Sequence, residues 1–168
     1  MNFIVAVDKN YAIGKDNDLL YSLKQDMKYF RETTLNKVVV MGDKTLMSFP
    51  NSAPLKNRTN IVVSIDPNFS VEGAIVVHSF KELFAKLKDY DTNDVFVIGG
   101  ASIYNQLMEY CEYGYITKID AEKPYDKAIN NVEKMGWTLH QKGETLTEDG
   151  IDFAFCIFKN PNVKTFEE

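Results

Sequence analysis

The chain has 168 residues, of which 45% are hydrophobic and 26% are charged, and its net charge is -5. This length suits one domain with a sizeable core, which we expect to span residues 1–168. The negative charge argues against non-specific binding to nucleic acid. No apolar run approaches the length of a membrane span, and no basic segment precedes a signal core, so we expect no membrane association.

Short apolar runs alternate with helical patterns along most of the chain. Strands are predicted at residues 2–7, 37–41, 61–64, 74–77, 94–98, 113–119, 137–142 and 151–159. Helices are predicted around Asp26, at residues 43–47, after the capping box at residues 79–82, and around Leu107. This alternation predicts a three-layer α/β domain, in which four helices flank a mostly parallel sheet of about eight strands. The last strand follows a loop at residues 143–150, so it should run antiparallel to its neighbour.

The cysteines and histidines show no metal-ligand spacing. Cys111 and Cys156 stand in apolar surroundings, which predicts reduced core residues, no metal site and a cytoplasmic protein. His78 and His140 are interpreted as structural or surface residues.

Asp26 occupies an unusual position on its predicted helix. Leu23, Met27 and Phe30 recur at the spacing of an apolar face, and the side chain of Asp26 points along that face. An ionised carboxylate is costly away from water unless something pairs with it. It either awaits a ligand with hydrogen-bond donors or is an acid favoured by the positive end of the helix dipole. The periodicity leaves both readings open.

Two strand-glycine-helix junctions lie at residues 40–45 and 97–102. Unpaired N–H groups at such helix starts can hold an anion, and the carboxyl edge of a parallel sheet is where α/β ligands bind. Two junctions on one edge would suit a pyrophosphate. Neither matches the dinucleotide fingerprint or the P-loop, and each alone is equally consistent with a plain turn.

Arg58 and Thr117 also have two readings each. Arg58 precedes a predicted strand and could capture a carboxylate in bidentate fashion, or be a solvated loop residue. Thr117 lies in an otherwise apolar strand, as a β-former or as a hydroxyl partner for a buried polar group.

Taken together and in order, these stretches resemble the dihydrofolate reductase family. The matching stretches are residues 12–15, 23–30, 34–45, 54–60, 97–104 and 117–122. The resemblance runs from residue 2 to about residue 159, and six motifs in register are highly specific.

The resemblance implies reduction of dihydrofolate by hydride transfer from NADPH to C6, with protonation at N5. Asp26 would accept hydrogen bonds from the pterin, Thr117 would support Asp26, and Arg58 would pair with the glutamate α-carboxylate of folate. Tyr21 would take the water-holding position. The pterin and benzoyl pocket would be lined by Ile4, Val5, Ala6, Leu19, Met27, Phe30, Phe49, Leu55 and Ile98.

The resemblance also implies a site for NADPH, with a cis Gly99–Gly100 bond in the pyrophosphate loop. The cofactor-binding residues would be Ala6, Ile13, Gly14, Asp18, Leu19, Gly42, Asp43, Lys44, Thr45, Ser64, Ile65, Ile98, Gly99, Gly100, Ala101, Ser102, Ile103 and Tyr104. Residues 13–21 resemble the family's mobile lid, which can gate product release. Small molecules, dihydrofolate and antifolate inhibitors, are the expected partners of a monomer.

The chain departs from the family pattern at three places. Leu20 and Tyr21 stand where the family usually has Pro-Trp, and Ser102 replaces a residue that is basic or amide-bearing in some members. Asp43 stands where bacterial members often place an Arg for the 2′-phosphate. A carboxylate repels a phosphate, so a weaker preference for NADPH over NADH is predicted.

Two other functions are alternatives for this sequence. A pyrimidine reductase of riboflavin synthesis shares the fold and NADPH but would need neither Arg58 nor an acid at Asp26. A nucleotide-binding module without chemistry is the non-enzymatic alternative.

Overall fold

The structure is a computed structural model, which describes residues 1–167. Its strands are β1 (Asn2–Val7), β2 (Ala12–Lys15), β3 (Asp18–Leu19), β4 (Val38–Gly42), β5 (Thr59–Val63), β6 (Ile75–Val77), β7 (Val95–Gly99), β8 (Tyr113–Ile119), β9 (Lys127–Ala128), β10 (Thr138–Lys142), β11 (Leu146–Glu148) and β12 (Ile151–Lys159). Its helices are α1 (Lys24–Thr34), α2 (Asp43–Met47), α3 (Phe80–Leu87) and α4 (Ala101–Leu107). No helix within residues 1–167 is long and apolar enough to cross a membrane.

Nine strands form the central sheet in the order β10-β12-β8-β1-β7-β4-β5-β6, with β11 paired to β12. The six strands from β8 to β6 in this order are parallel to their neighbours. β12 runs antiparallel to β8, from Phe153 opposite Ile119 to Lys159 opposite Tyr113. The mostly parallel sheet with an antiparallel last strand, predicted from the sequence, is confirmed.

Successive side chains of the central strands point to opposite faces of the sheet, as strand geometry requires. One face carries Phe3, Val38, Val40, Ile61, Val95 and Val97, which pack with Leu83, Leu87 and Leu107 of α3 and α4. The other face carries Ile4, Val39, Met41, Val62, Phe96 and Ile98, which pack with Leu46 of α2 and with Tyr29 and Phe30 of α1. Both faces are covered, which explains the continuous apolar runs and produces three layers.

Two segments interpreted as loops contain strands. Residues 12–19 form the hairpin β2–β3, which joins β9 in a small three-stranded sheet. The predicted loop at residues 143–150 contains β11, which pairs with the first residues of β12. β2, β3 and β11 are too short to show a period of two in the sequence. Cys111 and Cys156 are buried and free, as predicted.

Gly114 of β8 makes room for a ring from the neighbouring strand. It lies opposite Phe3 of β1 in the parallel register. A Cβ added at Gly114 would lie 2.5 Å from Cζ of Phe3 and 2.8 Å from its Cε1. Phe3 is fully buried, with its ring centroid 6.1 Å from that of Tyr104 and 5.7 Å from that of Trp137. The ring therefore has little space to move away.

We expect Gly114→Ala to destabilise the protein by about 1–3 kcal/mol, the usual cost of overpacking a core. Urea unfolding of the variant measures this cost. The double variant Gly114→Ala, Phe3→Leu should recover part of it, because the smaller side chain removes the clash. Equal stability of Gly114→Ala and wild type would show that the core tolerates the methyl group.

Candidate active site

Asp26 lies in the first turn of α1 and meets Thr117 of β8. The Thr117 hydroxyl donates a hydrogen bond of 2.6 Å to Oδ1 of Asp26. Thr117 is buried and Asp26 is partly buried. Within residues 1–167, no Lys or Arg forms an ion pair with Asp26. The structure thus confirms a carboxylate turned towards the interior, with a neutral partner.

Burial raises the pKa of Asp26 above its ordinary value of 3.8. The hydrogen bond from Thr117 acts in the opposite direction, and the nearby charge of Glu148 raises the pKa further. The net effect is that the carboxyl keeps its proton to higher pH than an exposed aspartate would. A carboxyl with a raised pKa is suited to acid–base chemistry.

The apolar residues around α1 form one cluster on this face of the sheet. Ile4 and Ile98 are buried in the core on this face, and Phe30, Phe49 and Leu55 pack against it while partly exposed. These five were predicted to line one pocket, and the structure places them in one cluster. Such half-buried apolar walls with one convergent polar group are typical of small-molecule sites.

Val5 and Ala6 show how strand alternation divides the predicted pocket residues. The side chain of Val5 packs against the opposite core, with α3 and α4, so the prediction that it lines the pocket is wrong for its side chain. Ala6 packs near Tyr21 in a third cluster around Leu23.

Met27 does not lie on a buried apolar face of α1, although the spacing predicted one. Its residue surface is 51% exposed, whereas Leu23 is buried and precedes the helix at the N-cap position. Leu19 and Ile65 are even more open, at 72% and 93%. Exposed apolar side chains near a cleft favour a ligand-binding rim.

Arg58 is held by three hydrogen bonds around the end of α1. Its Nε donates to Thr34 Oγ1 at 3.1 Å, and its terminal nitrogens donate to the carbonyl oxygens of Lys56 and Arg31 at 2.6 and 2.9 Å. A guanidinium has five N–H donors, so one N–H remains on each terminal nitrogen. This oriented pair matches the two oxygens of a carboxylate.

Tyr21 is tied to the start of the chain. Its hydroxyl donates a hydrogen bond of 3.3 Å to Oδ2 of Asp8, which is buried. On the ring of Tyr21, Nζ of Lys123 lies 4.4 Å from the centroid. Burial first, and then the charge of Asp8, raise the pKa of Tyr21 to about 12. The phenol is therefore neutral near pH 7, and only its oxygen lone pairs are left for a water or ligand.

The two glycine junctions come together because β4 and β7 are neighbours in the sheet. Gly42 precedes α2, and a Cβ there would lie 3.2 Å from Cγ1 of Ile103. The Gly99–Gly100 peptide is cis, as the resemblance implied. A Cβ at either of these glycines would lie 3.4–3.5 Å from Oγ1 of Thr45. The junctions form one glycine-lined cradle of the kind that an approaching phosphate needs.

Two side chains of the second junction turn away from the cradle. The hydroxyl of Tyr104 donates to the carbonyl oxygen of Ile4 at 2.7 Å, and its ring is buried in the core with α3. The side chain of Tyr104, which was predicted to bind the cofactor, is therefore engaged in a hydrogen bond inside the protein. Ser102 accepts a 2.7 Å hydrogen bond from Nε2 of Gln106 on the surface of α4.

Asp43 and Ser64 form a pair after two neighbouring strands, β4 and β5. The Ser64 hydroxyl donates to Oδ2 of Asp43 at 2.7 Å and accepts a bond from the backbone N–H of Asp66 at 3.2 Å. Its proton is therefore not free for a phosphate. Lys44 is exposed beside this pair.

Comparison with known proteins shows which family the chain belongs to. Residues 1–160 match the family model described as "Dihydrofolate reductase". The chain belongs to the dihydrofolate reductase family.

Relatives within this family cover nearly all of the chain. The dihydrofolate reductase of Bacillus subtilis is 35% identical over 164 residues, covering 96% of this chain and 95% of the relative. That of Enterococcus faecium is 38% identical over 140 residues and covers 83% of each. The solved structure of dihydrofolate reductase from Enterococcus faecalis, complexed with NADP(H) and RAB-propyl, has a TM-score of 0.85 at 27% identity and covers 96% of each chain.

The segment that resembles the lid of dihydrofolate reductases is anchored to β9 and to Asp126. The backbone N–H of Asp16 donates to Oδ2 of Asp126 at 2.9 Å, and the N–H of Asp126 donates to the carbonyl oxygen of Gly14 at 3.1 Å. The predicted cofactor residues Ile13 and Gly14 lie on β2, and Asp18 and Leu19 form β3. This segment is thus a hairpin tied to β9 and to Asp126.

Three acids of this site were missed at the sequence level. Asp8 accepts bonds from the N–H groups of Asn10 and Ala12, Asp126 holds the lid, and Glu148 accepts bonds from the start of α1. The sequence carried a signal for Glu148 alone. Leu23 stands at the N-cap position of α1 and cannot cap the helix through its side chain, so the cap has to come from another residue.

The raised pKa of Asp26 makes a prediction about stability. The folded state disfavours the ionised form, so the penalty is present above the folded-state pKa and absent below the ordinary value of 3.8. We expect Asp26→Asn to raise the melting temperature near pH 7, and the gain to shrink as the pH falls towards 4. Exposed Glu144→Gln is the control. A melting temperature that is unchanged or lower near pH 7 would contradict this account.

Proposed function

We infer that the protein is an NADPH-dependent dihydrofolate reductase. It reduces 7,8-dihydrofolate to 5,6,7,8-tetrahydrofolate by hydride transfer to C6 and protonation at N5, and so feeds one-carbon and thymidylate metabolism. The observation that carries this inference is the partly buried carboxylate of Asp26, bonded to Thr117, in a chain whose residues 1–160 match that family.

We propose that Asp26 receives the pterin. Its free lone pairs accept hydrogen bonds from a ring N–H and the 2-amino group, while Thr117 fixes the orientation of the carboxyl. Arg58 uses its two remaining N–H groups on the glutamate α-carboxylate. The apolar cluster around Ile4 and Phe30 covers the rings and excludes water, which strengthens both polar contacts. Val5 takes part through its backbone alone.

The proton for N5 comes from the side of Asp26. Burial raises the pKa of Asp26, so this carboxyl keeps a proton beside the pterin to higher pH than an exposed aspartate would. The oxygen of Tyr21 still has acceptor capacity and can hold a water in the cleft, although its geometry differs from that of an indole N–H. We therefore assign Tyr21 a water-holding role and Thr117 a supporting one.

NADPH supplies the hydride when it is bound. The residues present fit it, because the backbone at Gly42, Gly99 and Gly100 carries no Cβ to keep a phosphate away, and a Cβ there would lie 3.2–3.5 Å from Ile103 or Thr45. We propose that Thr45, Ala101 and the backbone of residues 42–45 and 99–104 hold the pyrophosphate, that Ser64 and Ile65 meet the adenosine end, and that Ile13, Gly14, Asp18 and Leu19 close over the nicotinamide.

We also propose that residues 1–168 act as one domain, as a cytoplasmic monomer. The continuous nine-stranded sheet and the reduced state of the two buried cysteines support this proposal. Antifolate inhibitors are expected to bind in place of dihydrofolate.

A pyrimidine reductase is not favoured. That reaction would use neither the acid at Asp26 nor the oriented guanidinium of Arg58, and both are held in place by specific hydrogen bonds. A binding module without chemistry has no use for a carboxyl whose pKa is raised in an apolar cleft.

The first test is loss of absorbance at 340 nm with NADPH and either dihydrofolate or the pyrimidine substrate of riboflavin synthesis. We expect turnover with dihydrofolate alone. Asp26→Asn should reduce kcat by about 10²- to 10⁴-fold, the usual contribution of an acid–base group. Glu144→Gln should leave kcat unchanged. Full activity of Asp26→Asn at neutral pH would remove Asp26 from the mechanism.

The second test concerns the choice between NADPH and NADH. Because Asp43 repels a 2′-phosphate and engages the proton of Ser64, we expect a weak preference for NADPH in kcat/KM. Asp43→Arg should increase that preference roughly tenfold, or about 1.4 kcal/mol. Glu72→Arg makes the same charge change at an exposed distant site and serves as the control. A strong preference that Asp43→Arg does not alter would contradict the prediction.

A further inference from the structure

The start of α1 is capped by a side chain from the other end of the chain. Leu23 occupies the N-cap position and offers no side-chain acceptor. Instead Oε2 of Glu148 lies 2.6 Å from the backbone N of Lys24, and Oε1 lies 3.0 Å from that of Gln25. Oε1 also accepts a 3.3 Å bond from Nε2 of Gln25. A single carboxylate therefore satisfies two N–H groups that the helix leaves unpaired.

The strand that carries Glu148 is tied to the strand that carries Thr117. In β11, Glu148 pairs with Ile151 and Leu146 with Phe153 of β12. Phe153 in turn pairs with Ile119 of β8, two residues beyond Thr117. Leu23 packs against both Phe153 and Ile119 in one buried cluster. Glu148 thus closes a frame that joins the start of α1 to β8.

Asp26 lies inside this frame, one and two residues after the backbone groups that Glu148 binds. The two N–H bonds lower the pKa of Glu148, so its carboxylate is charged near neutral pH. The other groups that face Asp26 are neutral there: the Thr117 hydroxyl from β8, Tyr29 on α1 and Tyr104 from α4. Glu148 is the charged neighbour that acts on Asp26.

We propose that Glu148 is a positioning residue for the reduction, which fixes the first turn of α1 and so holds Asp26 against Thr117 and the pterin. The proposal rests on the proposed function, since it takes Asp26 as the acid of that reaction. Its charge has a second effect, because a negative neighbour favours the protonated form of Asp26. Glu148 therefore extends the pH range in which Asp26 keeps its proton.

The decisive variant is Glu148→Gln, which keeps the shape and one acceptor oxygen but removes the charge. The pH profile of kcat/KM for dihydrofolate is measured, and the limb that disappears in Asp26→Asn is taken as the titration of Asp26. We expect Glu148→Gln to move the midpoint of that limb to lower pH. Glu144→Gln, at an exposed position just before β11, should not move it. Since Glu148 is open to solvent, the shift should shrink in 1 M KCl.

The positioning effect is read from Glu148→Ala, which removes both acceptor oxygens. We expect roughly a tenfold loss of kcat, because small misplacements of a reacting group are costly. The KM for NADPH should be unchanged. If Glu148→Gln retains most of kcat and Glu148→Ala does not, the hydrogen bonds to the start of α1, and not the charge, sustain turnover.

A readout without turnover keeps the proposal testable in a poorly active variant. The side-chain carboxyl ¹³C signal that is lost in Asp26→Asn reports the protonation of Asp26 in the free protein. Its midpoint should fall in Glu148→Gln and stay constant in Glu144→Gln. A midpoint equal to wild type would overturn the charge effect, and an unchanged kcat in Glu148→Ala would overturn the positioning role. Absence of dihydrofolate turnover in the wild type would instead overturn the proposed function, and the NMR titration would still decide whether the charge of Glu148 acts on Asp26.

Discussion

The hydrogen bond from Thr117 to Asp26 is the interaction on which the site depends. It joins α1 to the middle layer and gives a partly buried carboxyl one fixed, neutral partner. A cation in that place would lower the pKa of Asp26 and consume its acceptor capacity. A hydroxyl leaves the carboxyl able to bind donors from a ligand. The chain thereby keeps an acid in an apolar cleft and directs it towards a substrate.

The parallel sheet places everything else at one edge. β1, β4, β5 and β7 all end at the same edge, where Gly42 and Gly99 are the last residues of β4 and β7, and Asp8 and Ser64 follow β1 and β5. Loops at the carboxyl ends of parallel strands converge because their strands point the same way. The glycine cradle and the Asp43–Ser64 pair therefore share one edge of the sheet, although their residues are distant in sequence.

Carboxylates acting on backbone N–H groups recur as anchors in this protein. Asp8 holds the turn after β1, Asp126 holds the lid hairpin, and Glu148 holds the start of α1. Each bond is charge-assisted and therefore stronger than a neutral one. Asp8 is buried, whereas the bonds of Asp126 and Glu148 combine this strength with exposure to water. This combination suits segments that must be ordered around a ligand and still move. Some of the acidic side chains that give the chain its net charge of -5 therefore also hold backbone segments in place.

Much of the architecture was determined by the sequence itself. Continuous apolar runs such as residues 37–41 predicted strands covered on both faces, and the spacing around Asp26 predicted an inward carboxyl, because side-chain direction follows the local backbone period. Tertiary structure alone decided the partners. Thr117 stands 91 residues from Asp26 and Glu148 stands 124 residues from Lys24. Such contacts depend on strand order and register, which no local period encodes, and β11 was too short to show a period at all.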